Sequence, residues 1–198
     1  MLEFYCDVDA LDFAGPYEVF NLTTYKDSDV KRLFKNKLED KPFKVSTVSH
    51  DGLQISVHNG LSVTPDFSCT ICPEFDLVII PGGPLKAIKA VGRNKAIINW
   101  IASHQNKLVA SVCTGAFFVA KAGLLEGKKA TTNRVALDFF ATSFPNIEVI
   151  RDVKFVDAGN VITSGGISAG INMALYVVRK LFDEETSKRT ARTIEFDY

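Results

Sequence analysis

The sequence predicts an α/β protein, a mostly parallel sheet with helices on both faces. Three observations carry this. Short apolar runs rich in β-branched residues alternate with helical stretches along the chain. Two runs, Phe75–Ile80 (FDLVII) and Leu108–Val112 (LVASV), are apolar almost throughout, the pattern of strands buried on both faces. Three runs end in glycine-marked turns, at Pro81-Gly82-Gly83, Cys113-Thr114-Gly115 and Ser164-Gly165-Gly166. In such sheets ligands bind outside the carboxyl ends of the strands, so these turns are the candidate site.

The elements follow in order. Leu2–Cys6 is a first strand, and Gly15–Thr24 is a helix with Pro16 in its first turn, where a missing N–H does no harm. Lys26–Lys41 is rich in charge, with Val30, Leu33, Phe34 and Leu38 at helical spacing, and reads as an amphipathic surface helix. Phe43–Val48 is a strand. Gln54–Val57 and Leu61–Val63 flank His58-Asn59-Gly60, and Asn-Gly is a strong hairpin signal. After Phe75–Ile80, Leu85–Gln105 is one long helix with Ile88, Val91, Ile97, Ile98 and Ile101 toward the core. Leu108–Val112 is followed by helices at Gly115–Ala122 and Val135–Thr142. Glu148–Arg151, Lys154–Val156 and Val161–Thr163 are strands, and Ser168–Phe182 and Glu184–Ile194 are the last helices.

Length and charge limit the function. A chain of 198 residues matches one domain. Lys plus Arg is 23 and Asp plus Glu is 23, so no excess of cations faces nucleic acid and no polybasic patch faces a membrane. The apolar runs are far shorter than the ~20 residues that span a bilayer. Glu3, Asp7, Asp9 and Asp12 put acid where a signal peptide would be basic and then apolar. A cytoplasmic protein with reduced cysteines, acting on a small molecule, is expected.

Cys113 is the strongest candidate for chemistry. It joins a buried strand to a helix, with Ser111 and Gly115 small on either side, as a sharp nucleophile elbow requires. Helical N–H groups at such a turn favour thiolate over thiol. The histidines, His50, His58 and His104, all precede Cys113, none stands at a glycine-marked strand end, and Thr114 follows the cysteine directly, so a Cys-His-acid triad is poorly supported. Asp12 has two readings. It caps the helix that starts at Gly15-Pro16, or it faces the same crevice as Cys113, where burial would raise its pKa and let it hold a proton. Gly82-Gly83 is a tight turn or, with the N–H of Thr114, an anion-binding set of amides. Gly165-Gly166 lines the pocket or caps the next helix. Cys69-Thr70-Ile71-Cys72 has Pro73 immediately after it and no second ligand pair, so it reads as incidental; neither a metal nor a cofactor is expected.

The segments LDFAGPYEVF, FDLVIIPGG, SVCTGAFFVAKAGLLEGKKATTNR and GNVITSGGISAGINMALY resemble the ThiJ/PfpI superfamily, related to class I glutamine amidotransferases, and within it the isocyanide hydratase branch. The resemblance covers nearly the whole chain, 1–198. It implies a flavodoxin-like sandwich, a homodimer, Cys113 as nucleophile, Asp12 as its neighbouring acid, and Gly83 and Thr114 as amide donors. Gly82, Asn133 and Gly166 would line the substrate site. Where many relatives read A-T-T-H, this chain reads Ala130-Thr131-Thr132-Asn133, which points away from glyoxalase-like and deglycase-like chemistry. The activity implied is hydration of an isocyanide to an N-formamide through a Cys113 thioimidate. An amidase or glyoxalase-like hydrolase and a non-enzymatic thiol sensor are the alternatives.

Overall fold

The computed structural model describes residues 2–4 and 7–197, with side chains from residue 7 onward. Its elements run β1 (Leu2–Phe4), α1 (Ala10–Leu22), α2 (Asp27–Leu33), β2 (Thr47–Ser49), β3 (Ile55–Ser56), β4 (Ser62–Val63), β5 (Phe67–Ser68), β6 (Leu77–Ile80) and α3 (Leu85–Val91). Then come α4 (Lys95–Ser103), β7 (Leu108–Ser111), α5 (Ala116–Lys121), β8 (Lys129–Ala130), α6 (Leu137–Ser143), β9 (Glu148–Val149), β10 (Phe155–Asp157), β11 (Val161–Ser164), α7 (Ala169–Leu181) and α8 (Glu184–Thr193). The main sheet has seven strands in the order β10-β11-β7-β6-β1-β2-β5. Only the β10–β11 pair is antiparallel. This is the expected α/β, flavodoxin-like architecture.

Successive residues of a strand point to opposite faces. Val78, Ile79 and Ile80 of β6 are all buried, as are Val109, Ala110 and Ser111 of β7, so both faces of the sheet are covered. Helices α1, α7 and α8 pack on one another, and α4 packs on α5. Buried Met173, Leu175, Val177 and Val178 of α7 and Phe117, Phe118 and Val119 of α5 supply much of that cover.

The chain leaves β1 through α1 toward β2 on one side, then returns to place β6 on the other side of β1. That reversal opens a crevice at the carboxyl ends of β1 and β6, the usual ligand position in an open α/β sheet. The turns after β6, β7 and β11 border the same crevice.

Several boundaries differ from expectation. Of Leu2–Cys6, β1 reaches Phe4, and Tyr5 and Cys6 lie outside the described residues. Helix α1 starts at Ala10, so Pro16 sits inside it and Asp12 lies in its first turn. Pro16 is the seventh of the helix's 13 residues, so it removes a mid-helix N–H, a cost that the packing of α1 on α7 and α8 must offset. The long helix is broken at Gly92–Asn94, where the Asn94 side chain caps α4 by accepting from the Ala96 N–H at 3.0 Å. The charged segment is helical only over Asp27–Leu33, and Asn36 beyond it takes φ +52°. The expected strand at Phe43–Val48 narrows to β2, and β5 and β8, only two residues each, were not expected.

Gly115 shows how tightly β6 and the cysteine turn are pressed together. A Cβ there would run into the carbonyl oxygen of Ile80 and lie 2.9 Å from that of Pro81. Neither is a flexible side-chain tip. Gly115→Ala should therefore cost about 3 kcal/mol or more in urea unfolding, at the upper end of overpacking effects.

Candidate active site

Cys113 stands directly beyond β7, at the start of a 3₁₀ turn, Cys113–Gly115, that leads into α5. Its φ is +57°, in the left-handed region that disfavours a side chain, at a cost of roughly 1–3 kcal/mol. The backbone is held there from both sides. The Cys113 N–H donates to the Gly165 carbonyl at 2.9 Å, and the Cys113 carbonyl accepts from Thr132 Oγ1 at 2.8 Å. The Val112 N–H donates to the Ile80 carbonyl at 3.0 Å. Three strand ends thus fix the direction of the sulfur.

Asp12 is fully buried in α1. Its Oδ2 accepts the Gly82 N–H at 3.0 Å, while Oδ1 has no hydrogen-bond partner among the described residues. The side chain does not cap its helix. One atom from each of Asp9, Asp12 and Cys113 lies within 4.8 Å of the others. Among the described residues no ion pair offsets the Asp12 charge. Burial is the main cause that lifts its carboxyl to about 7; the Gly82 amide opposes the rise, the Asp9 charge adds to it, and Cys113 opposes it.

The thiol moves the opposite way from the expectation set by a helix N-terminus. Burial and the neighbouring Asp12 charge push Cys113 up to about 12, against the Thr114 N–H and the Asn133 side chain, which favour the thiolate. A short 3₁₀ turn supplies too little positive potential to outweigh the loss of water and a carboxylate alongside. Between about pH 7 and about pH 12 the pair as a whole therefore carries one proton.

The glycine amides are already engaged. A Cβ on Gly82 would lie 2.6 Å from the Thr114 nitrogen and 2.9 Å from Asp12 Oδ2, so only glycine lets these groups meet. The Gly83 N–H donates to Thr114 Oγ1 at 2.9 Å, and that hydroxyl donates to the Gly83 carbonyl at 2.6 Å. The expected anion-binding trio is thus occupied from within: Gly82 serves Asp12, Gly83 serves the Thr114 hydroxyl, and the Thr114 amide faces the sulfur.

Asn133 interacts with the thiol, and its Oδ1 accepts the Val135 N–H at 3.0 Å. Gly166 packs against it, since a Cβ at Gly166 would be 2.5 Å from Asn133 Nδ2. Among the described residues, none of His50, His58 and His104 joins the cluster around the cysteine. Cys69 and Cys72 are half-buried thiols, and Cys72 Sγ donates to the Cys69 carbonyl at 3.8 Å. Sequence reasoning placed Gly165 at a site turn without the role of its carbonyl, and missed Asp9 and Thr132; of these only Asp9 carried a signal, an acid three residues before Asp12. A cavity of about 540 Å³ lined by Phe20, Phe43, Val45, Phe75 and Phe182 lies at the amino ends of β2 and β6, away from the thiol.

Residues 8–180 match the DJ-1/PfpI family. The chain belongs to that family. An isonitrile hydratase from Pseudomonas putida is 30% identical over 194 residues, covering 96% of this chain and 74% of that protein. A ThiJ/PfpI family protein from Pseudomonas syringae superposes with a TM-score of 0.81 at 23% identity, over 100% of this chain and 74% of the other. Drosophila melanogaster DJ-1beta also gives a TM-score of 0.81, at 21% identity, over 100% and 97% of the two chains. No helix among the described residues is long and apolar enough to cross a membrane.

The protonation of Asp12 is linked to folding. Its carboxyl is raised in the folded protein from an ordinary value of 3.8 to about 7. The protonated form is therefore favoured by folding, a contribution complete below about 3.8 and lost as the pH rises through about 7. Asp12→Asn keeps an acceptor for the Gly82 amide and abolishes the charge. Relative to the wild type, this variant should gain up to about 4 kcal/mol between pH 4 and pH 8, measured by urea unfolding across that range.

Proposed function

We propose that this DJ-1/PfpI protein hydrates isocyanides, with Cys113 as nucleophile and Asp12 as the group that carries the proton. One observation carries the reading: a thiol and a buried carboxyl with one unpartnered oxygen converge on the same small volume. The terminal carbon of R–N≡C must receive both the sulfur and a proton. Acyl transfer is different, because the nucleophile adds at carbon while charge develops on a separate oxygen that needs amide donors. Here the Gly82 and Gly83 amides are already bound to Asp12 and Thr114. That engagement disfavours an amidase, and a thiol raised to about 12 disfavours a low-pKa oxidation sensor. The identity to an isonitrile hydratase over nearly the whole chain agrees with the proposal.

In the reaction, the ionised Asp12 takes the thiol proton as sulfur bonds to the isocyanide carbon. Asp12 then delivers that proton to the same carbon, giving the thioimidate R–N=CH–S–Cys113. Water adds to the thioimidate carbon and its proton ends on nitrogen. Collapse of the adduct forms the formamide carbonyl and breaks the C–S bond, and the hydroxyl proton passes through Asp12 back to sulfur. The sum is R–N≡C plus water giving R–NH–CHO.

Incubation with cyclohexyl or benzyl isocyanide should release the N-formamide, detected by mass spectrometry. Cys113→Ala should abolish turnover, and Asp12→Asn should lower kcat by about 10²–10⁴. Because Asp12 must be ionised to accept the thiol proton, kcat/KM should rise with pH through about 7. The absence of formamide from several isocyanides, aliphatic and aromatic, would refute the proposal.

A further inference from the structure

Asp9 occupies the residue before α1, where an Asp side chain ordinarily accepts a helical N–H and stabilises the helix by about 1 kcal/mol. It makes no such bond. Its backbone is nonetheless pinned. The Asp9 N–H donates to the Gly82 carbonyl at 2.9 Å, and the Asp9 carbonyl accepts the Asp12 N–H at 3.2 Å. The side chain is half-buried, and one of its oxygens lies within 4.8 Å of both an Asp12 oxygen and the Cys113 sulfur. A carboxyl at a capping position that forgoes the cap, and is instead held beside a nucleophile, has another use.

The two carboxyls have contrasting environments. Asp12 is sealed and keeps a proton near neutrality, whereas Asp9 is partly exposed to solvent. Burial raises Asp9 as well, but the His58 charge opposes that rise. His58 sits in the β3–β4 hairpin, whose backbone is tied to the segment before α1 through the His58 N–H and the Val8 carbonyl at 2.9 Å. Two carboxyls whose surroundings separate their proton affinities commonly divide acid and base work between them.

We infer that Asp9 is the general base for the second half of the reaction, activating the water that hydrolyses the Cys113 thioimidate. The inference rests on the isocyanide reading above. The carboxylate of Asp9 takes a proton from water as the water oxygen bonds to the thioimidate carbon. The C=N π pair moves to nitrogen, and nitrogen receives the proton from Asp9. The product is R–NH–CH(OH)–S–Cys113, and Asp9 is again ionised. Asp12, which has already delivered its proton to carbon, remains free to move the hydroxyl proton to sulfur. Asp9 is partly exposed to solvent, and the buried Asp12 is not.

The test is intact-protein mass spectrometry during turnover of benzyl isocyanide by wild type, Asp9→Asn and Asp9→Glu, with rapid-quench measurement of the first turnover. Asp9→Asn should lower kcat by about 10²-fold and leave most of the enzyme carrying one added isocyanide mass on Cys113. Its rate of adduct formation should stay within about threefold of wild type, and Asp9→Glu should recover part of the lost kcat. A residue that only shaped the site would slow adduct formation and would not accumulate the adduct. Turnover by wild type with no accumulation in Asp9→Asn overturns the inference alone. Neither turnover nor adduct in wild type overturns the isocyanide reading and this inference with it.

Discussion

The burial of Asp12 against a single hydrogen bond is the constraint on which the site depends. A carboxylate removed from water needs a cation or several donors to remain charged. Asp12 has the Gly82 amide and nothing else of comparable strength. Its remaining demand is met by protonation, which leaves an acid at neutral pH facing a sulfur atom. The sulfur stays a thiol for the same reason, since a second negative charge in that volume would face both Asp12 and Asp9. The chemistry available is therefore transfer of one shared proton, coupled to addition of sulfur.

The fold supplies the closeness that makes this sharing possible. β11, β7, β6 and β1 are consecutive in the sheet, so their carboxyl-end turns lie side by side. Gly82 allows the Asp12 carboxyl and the Thr114 backbone to approach one point, and Gly115 allows the cysteine turn to lie on β6. The positive φ of Cys113 is sustained by bonds to Gly165 and Thr132, two segments that never touch in sequence. Strain at one residue is thereby held by neighbouring strand ends, and the buried sulfur is kept beside Asp12 and Asp9.

Much of this was legible in the chain. The apolar runs marked β6 and β7, glycines marked the turns after them, and Ser111-Val-Cys113-Thr-Gly115 marked the elbow. The part that was not legible depends on contacts distant in sequence. Pro16 reads as the start of a helix, yet α1 begins at Ala10 because tertiary packing extends it past a residue that local preference would place first. The Gly82-Gly83 amides read as free donors, and nothing local reveals that Asp12 and Thr114 claim them. Helical position favours a thiolate at Cys113, whereas burial and Asp12 reverse it, and burial is a property of the assembled sheet. Asp9 reads as one acid among several near the amino end until the Gly82 carbonyl fixes its backbone beside the thiol.

These properties require that Asp12, and not Cys113, titrates near neutrality. Carbon-13 NMR of protein labelled at the aspartate carboxyl carbons, with the Asp12 resonance assigned by its loss in Asp12→Asn, measures this directly. A midpoint for Asp12 at about 7, with no thiol ionisation at Cys113 over the same range, is the predicted result. A midpoint near the ordinary aspartate value of 3.8, with Cys113 ionising near neutrality, would contradict the account.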